Sequence, residues 1–338
     1  KEAGTMVKIA SVIGATGYVG SAVVKALFEH GFDVVRAASR SPANASWLSS
    51  LGPEGAVQIM PLTLTNEGGS SLEELGQLMR GSDAAFFCAG FEEQSPNTID
   101  FMVNNALDVI KVAKQENVKS VVLTSSGGST NPAGLTDSTP KSEVLHFSDP
   151  SAQIAAGKFS PAAKTLMEIR AFEAVGRDHG NKITDAALAS SSPRLCVMVP
   201  NLILGPQLDP GPIKGNSLPW ICKIVKKQRM NESIPNDSMS IIDVRDLASL
   251  HVACALNPSA SGRYFGVNKS FPWREILNTI AEVHEGYVPP PLNEAEDYES
   301  KVPTQFDHTR KNSLGVALRD LKSTLRDLVE YLKSKNAI

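Results

Sequence analysis

Short, unbroken apolar runs alternate along this chain with longer stretches whose apolar positions recur three and four residues apart. The first pattern is that of strands buried on both faces, the second that of amphipathic helices laid over them. Strands are predicted over 7–13, 34–38, 56–60, 83–89, 120–124 and 194–199. A helix carrying Val19, Val23, Val24, Leu27 and Phe28 stops at His30-Gly31, and further helices are predicted over 70–79, 98–115 and 160–176. The stretch 131–153, rich in Pro, Ser, Thr and Asp, reads as one long loop, and such a loop inside a compact domain is usually functional. The period loosens at 181–193, which has no assignment, and in a Pro/Gly-rich excursion over 200–219. A strand at 239–242, a helix at 243–256, a strand at 263–267, a helix at 273–284, a Pro-rich loop at 288–291 and a closing helix at 318–333 complete the chain.

The first strand ends in Gly14, and Gly17 and Gly20 follow as the helix opens. In that setting Gly14 permits a tight turn, Gly17 lets backbone N–H groups close on a phosphate, and Gly20 lets the helix lie against the sheet. The helix N-terminus then faces an anion. Where the second strand ends, a carboxylate would suit the ribose hydroxyls of NAD and an arginine the 2′-phosphate of NADP. The chain has Ser39, Arg40 and Ser41 there, with Arg36 upstream, so NADP is expected, with Arg40 as phosphate clamp. The alternative is a solvated arginine at a strand end. The resulting expectation is an α/β fold with a doubly wound parallel sheet of Rossmann type. The NAD(P)-binding domain is expected over 6–200 with 239–256, and a smaller C-terminal substrate lobe over 201–238 with 257–338.

Composition narrows the partners. With 338 residues, 42% of them hydrophobic, 20% charged and a net charge of -3, the chain is that of a globular protein with no basic stripe for nucleic acid. Lys226, Lys227 and Arg229 read as a solvated helix face. Cys88, Cys196, Cys222 and Cys254 have no metal-ligand spacing and imply a reduced compartment; no metal is expected. The best candidate for a membrane span, 195–204, is broken by Pro200. Residues Lys1 to Thr5 precede Met6 and are either a cloning remainder or what is left of a cleaved targeting peptide, so the expected location is the cytoplasm or an organelle lumen, stroma or matrix. Expected partners are a small-molecule substrate and either a second copy or a larger complex.

Several stretches together resemble the extended short-chain dehydrogenase/reductase superfamily, in particular its dihydroflavonol reductase and cinnamoyl-CoA reductase group. They are GATGYVGSAVVKALFEHG, VVLTSSGGS, AKTLME, VPNLILGP, IIDVRDLASLHVACALNPSASGRY and FDHTRKNSLGVALRDLKSTLRDLVEYLK. The resemblance spans nearly the whole chain. It implies a catalytic serine at Ser126 and a lysine at Lys164 that holds the nicotinamide ribose. It also implies cofactor contacts at Gly14, Thr16, Gly17, Tyr18, Val19, Gly20, Ser39, Arg40, Leu64, Ala89, Gly90, Thr124, Lys164, Pro200 and Leu202.

The chain departs from that pattern at the chemistry. The family's catalytic tyrosine lies four residues before the lysine, where this sequence has Ser160, next to Phe159. A phenol has a pKa of about 10, which a nearby ammonium lowers usefully, whereas an aliphatic hydroxyl is a far poorer acid. Tyr264 and Tyr331 read as core residues, and Tyr287 and Tyr298 also lie in the C-terminal third. Proton delivery is therefore expected from water, Ser126, Lys164 or a loop residue. His146 and Asp149 are the loop candidates, against the alternative that both are ordinary exposed loop residues. Ser160 and Lys164, one helical turn apart, also admit a serine–lysine nucleophile reading. Two functions follow: an NADP-dependent oxidoreductase with a non-standard proton donor, acting on a carbonyl or other reducible bond, or a weakly catalytic NADP-binding protein serving as redox sensor or accessory subunit.

Overall fold

The computed structural model describes residues 7–65, 71–91, 94–134, 139–176, 192–299 and 301–338. The expected helix start at Ser70, the segment Lys1 to Thr5 and most of 181–193 lie outside them. Among the described residues the strands, in chain order, are β1 (Ile9–Ile13), β2 (Val34–Ser39), β3 (Val57–Pro61), β4 (Ala84–Phe87), β5 (Ser120–Thr124), β6 (Arg194–Pro200), β7 (Leu202–Leu204), β8 (Ser238–Asp243), β9 (Gly262–Gly266) and β10 (Lys269–Pro272). Seven form one sheet in the order β3-β2-β1-β4-β5-β6-β9, and every pair in it is parallel. The order reverses between β1 and β4, which opens a crevice at the strands' C-terminal ends.

Alternation along each strand decides which helices it meets. Ile13, Phe87, Leu123 and Val197 face a core shared with α2 (Leu72–Met79), α3 (Asn97–Gln115) and α5 (Phe159–Ala174). Their neighbours Val12, Phe86, Val122 and Met198 face the opposite side, where α1 (Tyr18–Glu29) packs. The same side receives Leu247 and Ala248 of a helix over Val244–Leu256. Capping sets the ends: Ser71 accepts from the Glu74 N–H ahead of α2, whose first turn carries Glu73 and Glu74.

A second, three-stranded sheet has β8 between β7, parallel to it, and β10, antiparallel. With α4 (Pro150–Ala155) inside the long loop, the helices over Ser217–Val225 and Val244–Leu256 are α6 and α7 among the described residues. They are followed by α8 (Trp273–Val283), the single turn α9 (Thr309–Asn312) and α10 (Leu321–Ser334). Ile221, Ile241, Trp273, Ile276, Leu325 and Leu328 form the core under the second sheet.

The division of the chain between sheets differs from the expected one. The segment 239–243 belongs to the second sheet and only α7 returns to the first, while β9, expected in the lobe, is the seventh strand of the main sheet. An apolar run announces burial and does not say in which sheet. The excursion 200–219 contains β7 and the start of α6, and the loop over 131–153 ends in α4. Lys226, Lys227 and Arg229 are exposed as expected but lie past the end of α6, because Lys226 is its C-cap and Lys227 has a φ of 56°. No helix among the described residues is long and apolar enough to cross a membrane. The same residues contain no group of His, Cys, Asp and Glu that could hold a metal.

Candidate active site

The glycine loop is built so closely that side chains are excluded. A Cβ on Gly20 would lie 2.1 Å from the Gly14 carbonyl oxygen, and one on Gly14, whose φ is +82°, would lie 2.6 Å from the Ala89 nitrogen. Gly17 donates to the Gly14 carbonyl at 3.0 Å. Its side provides no cap for α1 and the first turn has no acidic residue. The N–H groups of Tyr18, Val19 and Gly20 therefore have no acceptor within the helix and no repelling charge, which suits a bound pyrophosphate. The Tyr18 phenol is used elsewhere: it donates to the Gly205 carbonyl at 2.8 Å, and burial raises its pKa well above the ordinary value.

At the end of β2 the buried Ser39 hydroxyl accepts from the Ser41 N–H at 3.2 Å, and Arg40 is exposed. Arg36 is turned away, bonded to the Leu78 carbonyl at 3.1 Å and to the Arg80 carbonyl. Thr16, Ser39 and Arg40 open onto a cavity of about 350 Å³ that Asp209, Pro210, Gly211 and Lys214 also line.

The second half of the site lies at the end of β5. Lys164, half-buried on α5, donates to the Thr124 carbonyl at 2.7 Å. Burial lowers its pKa to about 8, an effect opposed by Cys88 and Glu168. The Thr124 hydroxyl meets Nε2 of His251 at 2.8 Å, while Nδ1 of the same ring lies 2.8 Å from the Leu247 carbonyl. A carbonyl only accepts, so Nδ1 carries the proton and Nε2 accepts from Thr124. Burial lowers the His251 pKa to about 4 and keeps the ring neutral. Burial also pushes the Cys88 thiol, beside Thr124 and Lys164, up to about 11.

Ser126 caps a short 3-10 turn over Gly127–Thr130, its oxygen accepting from the Gly128 N–H at 3.3 Å and its own proton left to donate. Its neighbour Ser125 bonds Glu168, which pairs with the buried Arg263 at 2.9 Å. Arg263 also donates to the carbonyls of Glu143, His146 and Ser129 at 3.2, 2.9 and 3.2 Å, and stacks on Phe147. Arg263, paired with Glu168 of α5, thus fastens the long loop to β9.

The remaining expected residues have plain positions. Ala89 backs Gly14, Gly90 is exposed beyond β4, and Leu64 packs half-buried on the main core. Pro200 is buried at the end of β6, and the Leu202 side chain is buried in the core under the second sheet. Ser160 is half-buried at the start of α5, one turn before Lys164. The two loop candidates for a proton donor have structural duties instead: His146 Nδ1 accepts from the Ser142 N–H at 2.9 Å, and Asp149 caps α4. Tyr264 is buried on β9, its oxygen accepting from the Ser261 N–H at 3.2 Å; Tyr287 is buried under the second sheet, where Tyr298 and Tyr331 pack.

A family model described as NAD(P)H-binding matches residues 14–153. Cinnamoyl-CoA reductase 1 of Oryza sativa subsp. japonica is 26% identical over 336 residues, covering 97% of this chain and 91% of that one. Cinnamoyl-CoA reductase 2 of Arabidopsis thaliana is 28% identical, covering 97% and 93%. Over those residues the chain is similar to the NAD(P)H-binding family, and over nearly its whole length to the cinnamoyl-CoA reductases. Among solved structures, vestitone reductase of alfalfa superposes with a TM-score of 0.76 at 19% identity, covering 98% of this chain and 99% of that one. The yeast methylglyoxal/isovaleraldehyde reductase complexed with NADPH superposes with a TM-score of 0.77 at 20% identity, covering 98% and 100%. The fold is therefore the Rossmann-type α/β fold of these solved reductases.

Four parts of the site are given no functional role by the sequence reading. Glu168 lies one turn beyond Lys164 on the same helix face, a spacing that could have drawn attention to it. His251 sits in a quoted motif, but its partner is 127 residues away. Cys88 reads only as a small strand hydrophobe. Lys214, in the Pro/Gly-rich excursion, carries no signal at all.

Proposed function

We propose that this protein is an NADP-dependent reductase acting on a carbonyl, or another reducible bond, of a small organic substrate, with Lys164 as proton donor in place of a tyrosine. The observation that carries the reading is Lys164 itself. Its ammonium lies at the end of β5, two residues from Ser126 in the chain path of its acceptor Thr124, with a pKa lowered to about 8. A general acid works best when its pKa is near the working pH. The glycine loop fits a dinucleotide pyrophosphate, and Arg40, with no carboxylate beside it on β2, fits a 2′-phosphate. NADPH supplies the hydride when bound. Ser126 donates to the substrate oxygen, Lys164 gives it a proton, and the neutral amine regains a proton from solvent.

The names of the homologues suggest the first substrates to try, namely cinnamoyl-CoA thioesters and dihydroflavonols, beside simple aldehydes, ketones and enones. NADPH oxidation by the wild type should fall as pH rises through about 8, and Lys164→Ala should lose it. Ser160→Tyr tests the same site from the other side. If the pocket still admits a carbonyl compound beside Ser126, the new phenol should raise carbonyl reduction by roughly 10²–10⁴-fold. Lower activity would mean that the pocket has been rebuilt around Lys164. Ser160 itself favours a second reading, a cofactor-binding module without chemistry, and no turnover by either protein would uphold that one. Rapid reduction untouched by replacing Ser126 and Lys164 together would sink the proposed site.

A further inference from the structure

The cavity at the end of β2 is also lined by a turn of the 205–216 segment, which follows β7 of the second sheet. That turn is tightly held. The buried Gln207 accepts from the Lys214 N–H at 2.9 Å and donates to the carbonyls of Asp209 and Pro212 at 3.2 and 3.0 Å. Lys335, just past α10, donates to the Pro210 carbonyl at 2.6 Å. Asp209 is buried, and both of its oxygens are engaged: one accepts from the Gly211 N–H at 2.7 Å, the other pairs with the Lys214 ammonium. Lys214 is half exposed, its side chain 48% accessible, and it lines the cavity. Arg40 lines the same cavity, and no ion pair or hydrogen bond of its guanidinium is found among the described residues.

We propose that Lys214 is a second determinant of NADP specificity: it binds the cofactor's 2′-phosphate from the second sheet's side while Arg40 binds it from the main sheet's side. The inference rests on the NADP reading and adds a residue to it. An ammonium has three donors, so Lys214 can hold a phosphate oxygen without releasing Asp209. Asp209 answers the lysine's charge while the cavity is empty and keeps it at the wall. Two cations against one carboxylate leave the cavity with a net positive charge, which complements a 2′-phosphomonoester carrying about −1.5 to −2. A 2′-hydroxyl can accept a hydrogen bond but carries no charge for those cations to meet. Lys214 therefore acts on NADPH and leaves NADH alone.

Binding of NADPH, NADH, 2′,5′-ADP and 5′-AMP to the wild type, Lys214→Ala and Lys214→Arg tests this, by fluorescence or calorimetry. Lys214→Ala should weaken NADPH and 2′,5′-ADP by about tenfold and leave NADH and 5′-AMP unchanged. Lys214→Arg should keep the preference. Equal weakening of all four ligands would mean that the lysine merely shapes the turn, and would overturn the inference. So would a wild type that prefers NADPH with Lys214→Ala indistinguishable from it. A wild type binding NADPH and NADH alike would overturn the underlying cofactor reading and this inference together.

Discussion

Thr124 links two titratable groups of the site, donating its hydroxyl proton to His251 and accepting from Lys164 at its carbonyl. The His251 ring is fully buried and its pKa is lowered to about 4 from 6.5. The unfolded chain then binds more protons than the folded one between those values, so folding stability falls as pH drops from 6.5 to 4 and is unaffected above. The loss from this residue is about 3 kcal/mol at its fullest, from ~1.4 kcal/mol per pKa unit. Denaturant unfolding of the wild type and His251→Asn across that range checks it. The variant starts less stable, but its slope against pH should be flatter, and parallel slopes would refute the assignment. This link was not legible in the sequence. Ser126 and Lys164 are proposed from continuous motifs, whereas the Thr124–His251 bond joins strand and helix across 127 residues.

At the scale of elements, the pair between Glu168 of α5 and Arg263 of β9 fixes how the long loop lies. Both side chains are almost fully buried, at 0% and 2% accessible, so each depends on the other for its charge. Removing one member of such a pair leaves a bare buried charge and costs about 3–5 kcal/mol, while an apolar or neutral replacement of both is often tolerated. Arg263→Ala should therefore destabilise the protein by that amount and free the loop over 139–148. Glu168→Gln with Arg263→Met should recover most of the stability but not the loop, since the donors to the Glu143, His146 and Ser129 carbonyls are gone. Chemical unfolding reads the first effect and hydrogen exchange in the loop the second; an Arg263→Ala protein as stable as wild type would contradict both. The sequence disclosed elements like these unevenly. β1, β4, β5 and β6 announce themselves because both faces are buried and their runs are predominantly apolar. β7 has three residues and α6 begins in a proline-rich stretch, so neither has room for a period. α10 starts at Leu321 and not at 318, because Asp320 caps it by accepting from the Ser323 N–H at 2.7 Å.

For the molecule as a whole, the path of the chain argues against two independently folding domains. It passes from β6 in the main sheet to β7 and β8 in the second, returns through α7 to β9, and leaves again at β10. Side chains follow the same route. Arg245 on α7 pairs with Asp243 at 2.7 Å and with Asp327 of α10 at 2.6 Å, and the Tyr18 phenol ties the glycine loop to Gly205. Neither sheet can be cut out without breaking the other's connections, so the cofactor-free protein should unfold in a single calorimetric transition. NADPH at 100-fold above its Kd should raise that transition intact, adding about 2.7 kcal/mol of stability. A scan that resolved two transitions, with NADPH moving only one, would show that 201–238 and 257–338 fold apart from the main sheet. It would also remove the physical basis for a phosphate held between Arg40 on one side and Lys214 on the other, because that grip needs the two walls of the cavity to be parts of one cooperative structure.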